Sequence, residues 1–491
     1  MRKVPASRSV PVAALMLVGI QVLSSCSGGG GDAGGDGQGG AAGTAGDTGA
    51  GGSPAGVGGR AGAGGTLGTA GRAGQGGATG GAGARGSGGN GPVATGIFGT
   101  LLGKSQIDVD AKVATAVNRY FGIGTGEPAT PTVNTGYRCY YELPQDPASG
   151  FIWAADSNDV RSEGMSYGMM IAVQANLQTQ FDRLWKFART NMQVPVTSTT
   201  TAWRSYFRWQ GTVNRASATS WTVNFAATTG PAPDGDQYFA AALYLADRRW
   251  GSGGAFNYKQ EADTIAAAML HNAATADGRG PIINGAQNMV VFYPFGGSGT
   301  FTDPSYHLPA FYELFATAGP AADAARWRAV AATSRSFLVS SANGTTGLHP
   351  DYATFAGAPT TAAAGDGHND FGFDALRVVM NMAVDYVWGS SDSRLKTQIE
   401  KYHTFFAGYL GANNVTQSQF AVNGSNPSGG GSTALTATLG AGSMVSTTAN
   451  RTTYASNLWN IPQQAGQFRY YQESVYLLGL LNAAGKFVNT F

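Results

Sequence analysis

Three segments of the sequence place acidic residues where they could act together on one substrate. Glu163 stands in the first segment, Asp234 and Asp236 stand in the second, and Asp374 stands in the third. Each acid heads a long apolar run, which predicts a position in the first turn of a helix. A single acid at a helix N-terminus commonly does no more than cap the helix. Three acids at matching positions, each flanked by aromatic residues, indicate a shared chemical function.

The surroundings of Glu163 decide which protonation state it prefers. Ser162 is a suitable N-cap, so we expect the helix to begin at Glu163. Met165, Met169 and Met170 follow it, and an apolar wall raises the pKa of a buried carboxyl. The helix N-terminus favours the anion by only about 0.3–1 kcal/mol when exposed. Pointing inward, Glu163 would retain a proton; pointing outward, it would be a solvated capping residue.

Hydrolysis of a glycosidic bond requires two carboxyls in different protonation states. One gives a proton to the leaving oxygen, and the other stays ionised to activate water or attack the sugar. Glu163, with apolar neighbours, is the better candidate acid. Asp374 is the better candidate base, because His368, Asn369 and Arg377 give it polar company.

Aromatic residues crowd the segments between the acids, and sugar rings stack on aromatic faces. Tryptophan is more often a core residue, so we expect roughly half of these side chains to line a cleft. The six candidates are Trp153, Trp203, Tyr206, Phe207, Trp209 and Trp221.

Helices must position these acids, because apolar residues recur with a period near 3.6 along most of the folded part. The predicted helices are 105–121, 162–177, 181–192, 236–250, 258–273, 305–318, 323–342, 373–388, 393–410, 433–445 and 469–484. Most pair through short connections, and a series of such hairpins predicts an all-α toroid with an inner ring of alternate helices. The first helices of successive pairs then run parallel, so the acids at their N-termini meet at one mouth.

The chain before the folded part is predicted to contain a targeting segment and a tether. Basic residues precede a short apolar run that ends near Cys26, as in a secretory signal too short to span a membrane. This pattern resembles the lipobox of bacterial lipoproteins, so 1–26 is predicted to be a lipoprotein signal peptide with Cys26 lipidated. Residues 27–95 are rich in glycine and predict a disordered linker. The catalytic domain is predicted over 96–491.

Composition argues against several classes of function. The formal net charge is +2, which disfavours nucleic acid or acidic lipid as a partner. Five histidines are scattered without a metal-binding spacing, so we expect no metal site. With Cys26 lipidated, Cys139 is alone and no disulfide framework can form. The expected location is outside the cytoplasm, either anchored by lipid to a bacterial membrane, with the outer membrane favoured, or secreted.

Four segments together resemble glycoside hydrolase family 8, and within it the xylan-active branch. They are D-V-R-S-E-G-M-S-Y-G-M-M at 159–170, G-P-A-P-D-G-D-Q-Y-F-A at 230–240, T-D-P-S-Y-H-L-P-A-F-Y at 302–312 and F-D-A-L-R-V at 373–378. Their order makes the resemblance specific. It implies an (α/α)6 barrel, an inverting mechanism, a β-1,4-linked substrate and no cofactor.

The resemblance also implies roles for individual residues. Glu163 would be the general acid and Asp374 the general base, while Tyr306 would help to hold the attacking water. Asp234 would bind and distort the sugar at the cleavage point, with Asp236 as the alternative for that role. Other side chains expected to contact the substrate are Trp153, Trp203, Tyr167, Arg377 and His307.

Two departures from the family pattern bear on where the enzyme cuts. Members that release single xyloses from a reducing end carry a blocking Leu-His-Pro kink downstream of the base. Here the triplet occurs only as Leu348, His349 and Pro350, before Asp374. The polar, glycine-rich segment 413–431 takes the place of the kink, which favours an open, endo-acting cleft. No separate carbohydrate-binding module is apparent, so the cleft must grip the substrate itself.

Other interpretations remain open at this point. The same fold and mechanism could act on β-1,4-glucan or chitosan. A non-catalytic surface lectin would need neither Glu163 nor Asp374. A polysaccharide lyase would need a base such as Tyr306 or His307 and a uronate substrate. The expected partners are a β-1,4-linked polysaccharide or oligosaccharide and a membrane reached only through lipid, with the chain acting as a monomer and no nucleic acid bound.

Overall fold

The computed structural model describes residues 96–130, 133–195, 203–217, 219–361 and 368–491. The predicted signal peptide, the lipidation site Cys26 and the whole of the predicted linker lie outside these residues. Among the described residues, no helix is long and apolar enough to cross a membrane.

The α-helices of the described residues are numbered here in chain order. They are α1 (Ile97–Leu102), α2 (Gln106–Phe121), α3 (Ser162–Gln174), α4 (Gln178–Phe187), α5 (Pro233–Trp250), α6 (Tyr258–His271), α7 (Pro309–Ala318), α8 (Ala324–Ser340), α9 (Val378–Asp385), α10 (Ser393–Phe406), α11 (Thr433–Gly442), α12 (Arg451–Asn460) and α13 (Arg469–Ala483).

Six nearly fully buried helices form a closed inner ring. They are α3, α5, α7, α9, α11 and α13, and their residues are buried on most sides. Each contacts the next in this order, and α13 contacts α3 to close the ring. A helix with partners on all sides must be apolar around its circumference, which explains the long apolar runs after the acids. The predicted (α/α)6 barrel is confirmed.

The outer ring consists of the helices that follow the inner ones. Helices α4, α6, α8, α10 and α12 each pack on the inner helix that precedes them. The sixth pair joins the two ends of the folded part, because α2 packs on α13. Ser105 caps α2 by accepting a hydrogen bond from the backbone N–H of Asp108. The barrel therefore closes only when its first and last long helices are both present.

Helix α12 was not predicted from the sequence, and packing explains why it forms. Its residues include two threonines, a serine and two asparagines, which have low intrinsic helix propensity. Leu458 packs closely against Gly440 of α11, where an added Cβ would lie 2.5 Å from the Leu458 Cβ. A Cβ at Gly479 of α13 would lie 2.7 Å from the carbonyl oxygen of Ala437. Glycine thus permits close helix contacts on both sides of α11.

Short antiparallel strands, none of them predicted, lie in the connections. They are β1 (Tyr140–Leu143), β2 (Asp146–Ile152), β3 (Asp159–Arg161), β4 (Gln210–Ser217), β5 (Ser220–Asn224), β6 (Ile283–Asn284), β7 (Met289–Val290), β8 (Phe301–Thr302) and β9 (Ala353–Thr354). Strands β3, β4 and β5 form one sheet, in which Arg161 pairs with Gln210. Because β3 runs directly into α3, this sheet fixes the entry of the helix that carries Glu163.

The predicted helix over 373–388 is divided in the structure. A 3-10 turn at Ala375–Arg377 precedes α9, and a π-helical turn at Tyr386–Ser390 follows it. Gly389 has a φ of 132°, a value that other residues rarely adopt. The 3-10 turn places Asp374 immediately before the helical part of this segment and Arg377 at the end of the turn.

Candidate active site

The acids at the starts of the inner helices converge at one mouth of the barrel. Glu163 lies in the first turn of α3, Asp234 in the first turn of α5, and Asp374 immediately before the turn that leads to α9. Tyr470 lies in the first turn of α13 and bonds Glu163. The structure therefore brings together the three acids that sequence analysis placed at one mouth.

Arg377 is the centre of this cluster. Its Nη1 donates to Glu163 Oε2 at 2.7 Å and to Asp234 Oδ2 at 3.1 Å, and its Nη2 donates to Asp374 Oδ1 at 2.8 Å. Nη1 also donates to the Tyr167 hydroxyl at 2.8 Å. The arginine is only 3% exposed, so one buried cation faces three carboxyls. Sequence analysis named Arg377 as a sugar contact, whereas the structure places it beneath the acids.

Burial raises the pKa of Glu163, and the nearby Asp374 raises it further. Arg377 and the hydroxyl of Tyr470 act in the opposite direction. The Tyr470 hydroxyl donates to Glu163 Oε1 at 2.9 Å, while Arg377 holds Oε2. Both carboxyl oxygens are thus held in place, and the side chain favours its protonated form more than an ordinary glutamate does.

The helix start at Glu163 differs from the prediction. Helix α3 begins at Ser162, with Arg161 as the N-cap residue, and the Ser162 side chain does not cap it. Ser162 donates its backbone N–H to the carbonyl of Trp209 instead, which continues the pairing of β3 with β4. Its hydroxyl faces α5, where a Cβ at Gly235 would lie 2.6 Å from Ser162 Oγ. The pairing of β3 with β4, rather than a side-chain cap, therefore fixes the start of α3.

Asp234 and Asp236 lie in one turn of α5 but have different surroundings. Asp234 Oδ1 accepts the backbone N–H of Gly235 at 2.8 Å, and burial raises the pKa of Asp234 to about 7. Asp236 is fully buried and accepts the backbone N–H of Phe207 at 3.1 Å. Its Oδ2 has no hydrogen-bond partner among the described residues. Asp234 faces the cleft, and the alternative assignment to Asp236 is therefore corrected.

The backbone at Asp374 is held by a carboxylate that sequence analysis missed. Asp351 Oδ1 accepts the backbone N–H groups of Asp374 at 2.9 Å and of Ala375 at 2.8 Å. Asp351 Oδ2 lies 3.4 Å from His368 Nδ1, and this carboxylate raises the pKa of His368. No periodic pattern marks Asp351, because it lies in a connection outside the helices.

A cleft with about 500 Å3 of empty space, part of it open to solvent, lies over the acids. Glu163, Asp234 and Asp374 line it together with Tyr306. The remaining lining residues are Arg161, Ser162, Trp209, Pro231, Ala232, Phe292 and Tyr293. Phe292 and Tyr293 were missed, although their aromatic segment was a visible signal. An extended space with carboxyls on its floor and rings on its walls suits a sugar polymer.

Most of the aromatic candidates belong to the core. Among the six, only Trp209 lines this cleft, so the expected half was too many. Trp153 is fully buried and donates to Asn158 Oδ1 at 3.2 Å. Trp203 donates to the carbonyl of Pro294 at 3.3 Å, behind the cleft wall. Because both indoles lie under other residues, their predicted sugar contacts are corrected. The others buried elsewhere are Tyr206, Phe207 and Trp221.

Tyr167 and His307 also lie below the surface of the cleft. Tyr167 is buried against Tyr238 and supports Arg377 rather than a sugar. His307 is fully buried, with Nε2 3.0 Å from Thr302 Oγ1 and Nδ1 2.9 Å from Ser334 Oγ. Burial lowers the pKa of His307 to about 3. Both predicted substrate contacts are corrected to roles within the wall.

The described residues contain no group of histidine, cysteine and acidic side chains that could hold a metal ion. Cys139 is a buried free cysteine, and burial raises the pKa of its thiol well above the ordinary value.

A closed double ring of helices with a carboxyl cluster under an aromatic cleft defines a glycoside hydrolase of the (α/α)6 type. Residues 151–485 match the family described as Glycosyl hydrolases family 8. The chain belongs to this family.

The relatives include proteins named as oligoxylanases and proteins named as endoglucanases. A reducing-end xylose-releasing exo-oligoxylanase of Paenibacillus barcinonensis is 31% identical over 404 residues, covering 81% of this chain and 98% of the relative. The xylobiose complex of a family 8 protein from Teredinibacter turnerae is 34% identical with a TM-score of 0.71, covering 81% of this chain and 99% of the other. Endoglucanase A of Acetivibrio thermocellus is 31% identical over 342 residues, covering 68% of this chain and 64% of the relative.

Proposed function

We propose that this hydrolase cleaves β-1,4-xylosidic bonds within xylan or xylo-oligosaccharides, with inversion at the anomeric carbon. The supporting observation is the pair Glu163 and Asp374, held on different nitrogens of Arg377 beneath an aromatic cleft. The relatives named as oligoxylanases and the xylobiose complex favour xylan as the substrate.

Glu163 acts as the general acid in this mechanism. Burial raises its pKa, which favours the protonated form that a general acid needs in order to give a proton to the leaving oxygen as the bond breaks. Arg377 and Tyr470 keep the carboxyl oriented before the transfer. The same two donors stabilise the carboxylate that remains afterwards.

Asp374 acts as the general base and removes a proton from the attacking water. Asp351 fixes the backbone of the base, and Arg377 fixes its side chain. The guanidinium of Arg377 lies between Glu163 and Asp374, so the two carboxyls do not touch. An inverting mechanism further requires the two carboxyls to stand about 6.5–9.5 Å apart, which leaves room for the water. The hydroxyl of Tyr306, in the same cleft, would orient that water.

The surroundings of the base support action within a chain rather than at its end. Leu348 and His349 are buried, and His349 bonds Tyr402 and the carbonyl of Leu338, so this triplet does not block the cleft. In the segment 413–431, Phe420 pairs with Phe371, close to the base. Residues 425–431 of that segment are exposed. A polysaccharide could therefore continue past Asp374.

A second candidate substrate is β-1,4-glucan, which the endoglucanase relatives favour. Rates on linear xylan, carboxymethylcellulose and chitosan would separate the candidates. We expect the highest kcat/KM on xylan, an early fall in its viscosity and a range of oligosaccharide products. Release of xylose alone would contradict endo action, and faster hydrolysis of carboxymethylcellulose would contradict the choice of xylan.

Stereochemistry tests the mechanism independently of the polymer. Inversion of a β-linked substrate yields the α-anomer first, which proton NMR detects before mutarotation. First appearance of the β-anomer, or a glycosyl ester trapped on Asp234, would replace inversion by a retaining mechanism.

We further propose that the enzyme is exported and attached to a membrane through lipid on Cys26, with 27–95 as the tether. Replacing Cys26 by serine should move the enzyme from the membrane fraction to the soluble fraction without changing its specific activity. A wild-type enzyme that is already soluble and carries no lipid would contradict the anchor.

A further inference from the structure

The long connection between α6 and α7 forms a second pocket beside the cleft. It holds about 690 Å3 of empty space, part of it open to solvent. Val291, Pro294 and Phe295 line this pocket, whereas the intervening Phe292 and Tyr293 line the cleft. One short segment is therefore the shared wall of the two spaces. We refer to the second space as the side pocket.

The side pocket presents positive charge, in contrast to the carboxyls of the cleft. Arg279 is the charged residue among its lining residues. A second guanidinium lies behind Gly285, where a Cβ would be 3.4 Å from Arg326 Nη2. The nearby Asp277, which pairs with Arg279, does not line the pocket. Two cations and one carboxylate leave this region with an excess of positive charge.

The guanidinium of Arg279 is held in one orientation over an aromatic ring. It lies 4.6 Å from the ring centroid of Trp203, and Trp203 packs on Tyr293 with ring centroids 5.8 Å apart. The ion pair with Asp277 uses Nη1, and Nε is buried without a hydrogen-bond partner among the described residues, so contact with a ligand falls to the Nη groups. Arginine in such a stack keeps donors for a planar anion such as a carboxylate.

The size and composition of the side pocket fit a sugar substituent. Five glycines are among its lining residues, so space remains for a sugar ring next to the backbone. Asn284 adds a polar side chain, and Phe295, which is 38% exposed, adds an aromatic face. The cleft already gathers the carboxyls of Glu163, Asp234 and Asp374 around one cation, so it disfavours a further carboxylate. The side pocket is therefore the favourable place for an acidic substituent.

We propose that the side pocket binds the carboxylate of a uronic acid substituent carried by the polysaccharide in the cleft, with Arg279 as the main contact. This inference rests on the proposed action on xylan and adds a preference for acidic, branched chains. The neutral backbone is gripped by the cleft, so the effect of Arg279 is confined to substituted substrates.

The test compares kcat/KM on glucuronoxylan with kcat/KM on unsubstituted xylohexaose, and the ratio of the two is the readout. Arg279→Gln should lower this ratio about tenfold, the effect of one charge-assisted hydrogen bond. Asp277→Asn removes the competing carboxylate and should raise the ratio about two-fold, as expected for an exposed ion pair. Neither variant should change kcat/KM on xylohexaose.

Arg394→Gln is the matched control. Arg394 pairs with Asp392, two residues before it, as Arg279 pairs with Asp277, but it lies on the outer helix α10. The ratio should stay at the wild-type value in this variant. An unchanged ratio in Arg279→Gln, or equal losses on both substrates, would overturn the proposal.

Direct binding separates this inference from the proposed function. Calorimetric titration with an aldouronic acid and with neutral xylotriose should show tighter binding of the acid to wild type, and no such preference in Arg279→Gln. If wild type hydrolyses no xylan but keeps this preference, the proposed function fails and the side pocket stands. If wild type hydrolyses linear xylan but binds the acid no more tightly than xylotriose, the proposed role of the side pocket is contradicted while the proposed function stands.

Discussion

Two sets of buried or partly buried ionisable residues in the barrel are partnered in opposite ways. At the mouth, several carboxyls surround Arg377 and His368. In the wall, buried histidines bond to hydroxyl and carbonyl groups. The mouth carboxyls are Glu163, Asp234, Asp303, Asp351 and Asp374, and the wall histidines are His307, His349 and His403.

Neutral partners satisfy the wall histidines. His349 Nδ1 lies 2.9 Å from the Tyr402 hydroxyl, and its Nε2 lies 2.7 Å from the carbonyl oxygen of Leu338. Burial lowers the pKa of His349 to about 4 and that of His307 to about 3. These side chains remain neutral in the folded protein over the physiological range, so they act as structural hydrogen-bonding groups.

The mouth, by contrast, holds more carboxyls than cations. Burial raises the pKa of Asp303 and Asp351 as well as those of Glu163 and Asp234. Asp303 Oδ2 has no hydrogen-bond partner among the described residues. Crowding carboxyls together in a buried region lowers the stability of the fold. Such a cluster is retained in proteins where proton transfer requires carboxyls with shifted pKa values. Buried ionisable residues occur in both regions, but only at the candidate active site do the carboxyls outnumber the cations that could pair with them. An excess of unpaired carboxyls, rather than burial alone, therefore distinguishes the active site from the wall.

Removing the base should produce the largest effect on activity. Asp374→Asn should lower kcat by at least about 10²–10⁴-fold on any leaving group, because water then lacks its base. Glu163→Gln should lose as much on xylan but much less on an activated xylosyl fluoride. Steady-state kinetics on both substrates would measure this. Near-wild-type turnover of either variant on xylan would contradict the assignments.

Thermal unfolding of the same variants tests whether the mouth carboxyls contribute to stability as well as to activity. Asp374→Asn removes a carboxyl from a mouth that holds more carboxyls than cations, and Glu163→Gln removes a carboxyl whose ionised form burial disfavours. Neither variant should therefore unfold at a lower temperature than wild type. A large loss of stability would mean that these carboxyls are structural, like the wall histidines.

Removing the cation at the mouth should damage both activity and folding. Arg377→Met leaves the buried Asp234 and the partly buried Glu163 and Asp374 without this positive partner. Breaking a buried ion pair in this way destabilises a protein by about 3–5 kcal/mol. Denaturant unfolding should show that loss at pH 7, and lower pH should reduce it as the carboxyls take up protons. A loss that does not depend on pH would indicate lost packing instead.

Substitution of a wall histidine should lower the stability of the protein without changing its catalytic activity. His307→Leu removes the ring nitrogens that the hydroxyls of Thr302 and Ser334 contact, and a buried hydroxyl left unsatisfied costs about 1–3 kcal/mol. Unfolding in urea should show the loss, while kcat and KM on xylan stay near wild type. A raised KM in a stably folded variant would restore the sugar contact that sequence analysis assigned to His307.

The barrel was predictable from the sequence because its inner helices are buried on all sides and therefore carry long apolar runs. The acids were found for the same reason, since each stands in front of such a run. Arg377 was predicted to be a polar neighbour of Asp374 and a sugar contact, but its role beneath the acids was missed, because its contact with Glu163 joins residues 214 positions apart. The depth of Trp153 and Trp203 depends on strands and connections that have no periodic pattern. The sequence shows that these residues are tryptophans and could stack on a sugar. Only the folded structure shows that they pack inside the protein.

The smallest predicted effect concerns the pKa of the acid. Tyr470 donates to Glu163 Oε1 at 2.9 Å, which stabilises the anion and lowers the pKa of Glu163 against the effect of burial. Tyr470→Phe removes this contact, so the pKa of Glu163 should rise further. A general acid must be protonated, and the basic limb of the kcat/KM profile should therefore move to higher pH. One hydrogen bond of about 1 kcal/mol corresponds to a shift of up to about one pH unit.

The neighbouring tyrosine supplies the control for this shift. Tyr471 donates its hydroxyl to the backbone carbonyl of Phe373 at 2.9 Å and not to Glu163. Tyr471→Phe removes an equal hydroxyl from the adjacent position, so the basic limb should stay where wild type has it. If Tyr470→Phe leaves the limb unmoved or shifts it to lower pH, then Glu163 is not the proton donor whose titration limits activity. The proton would then have to come from another mouth carboxyl, and Asp234, whose pKa burial raises to about 7, would be the next to test.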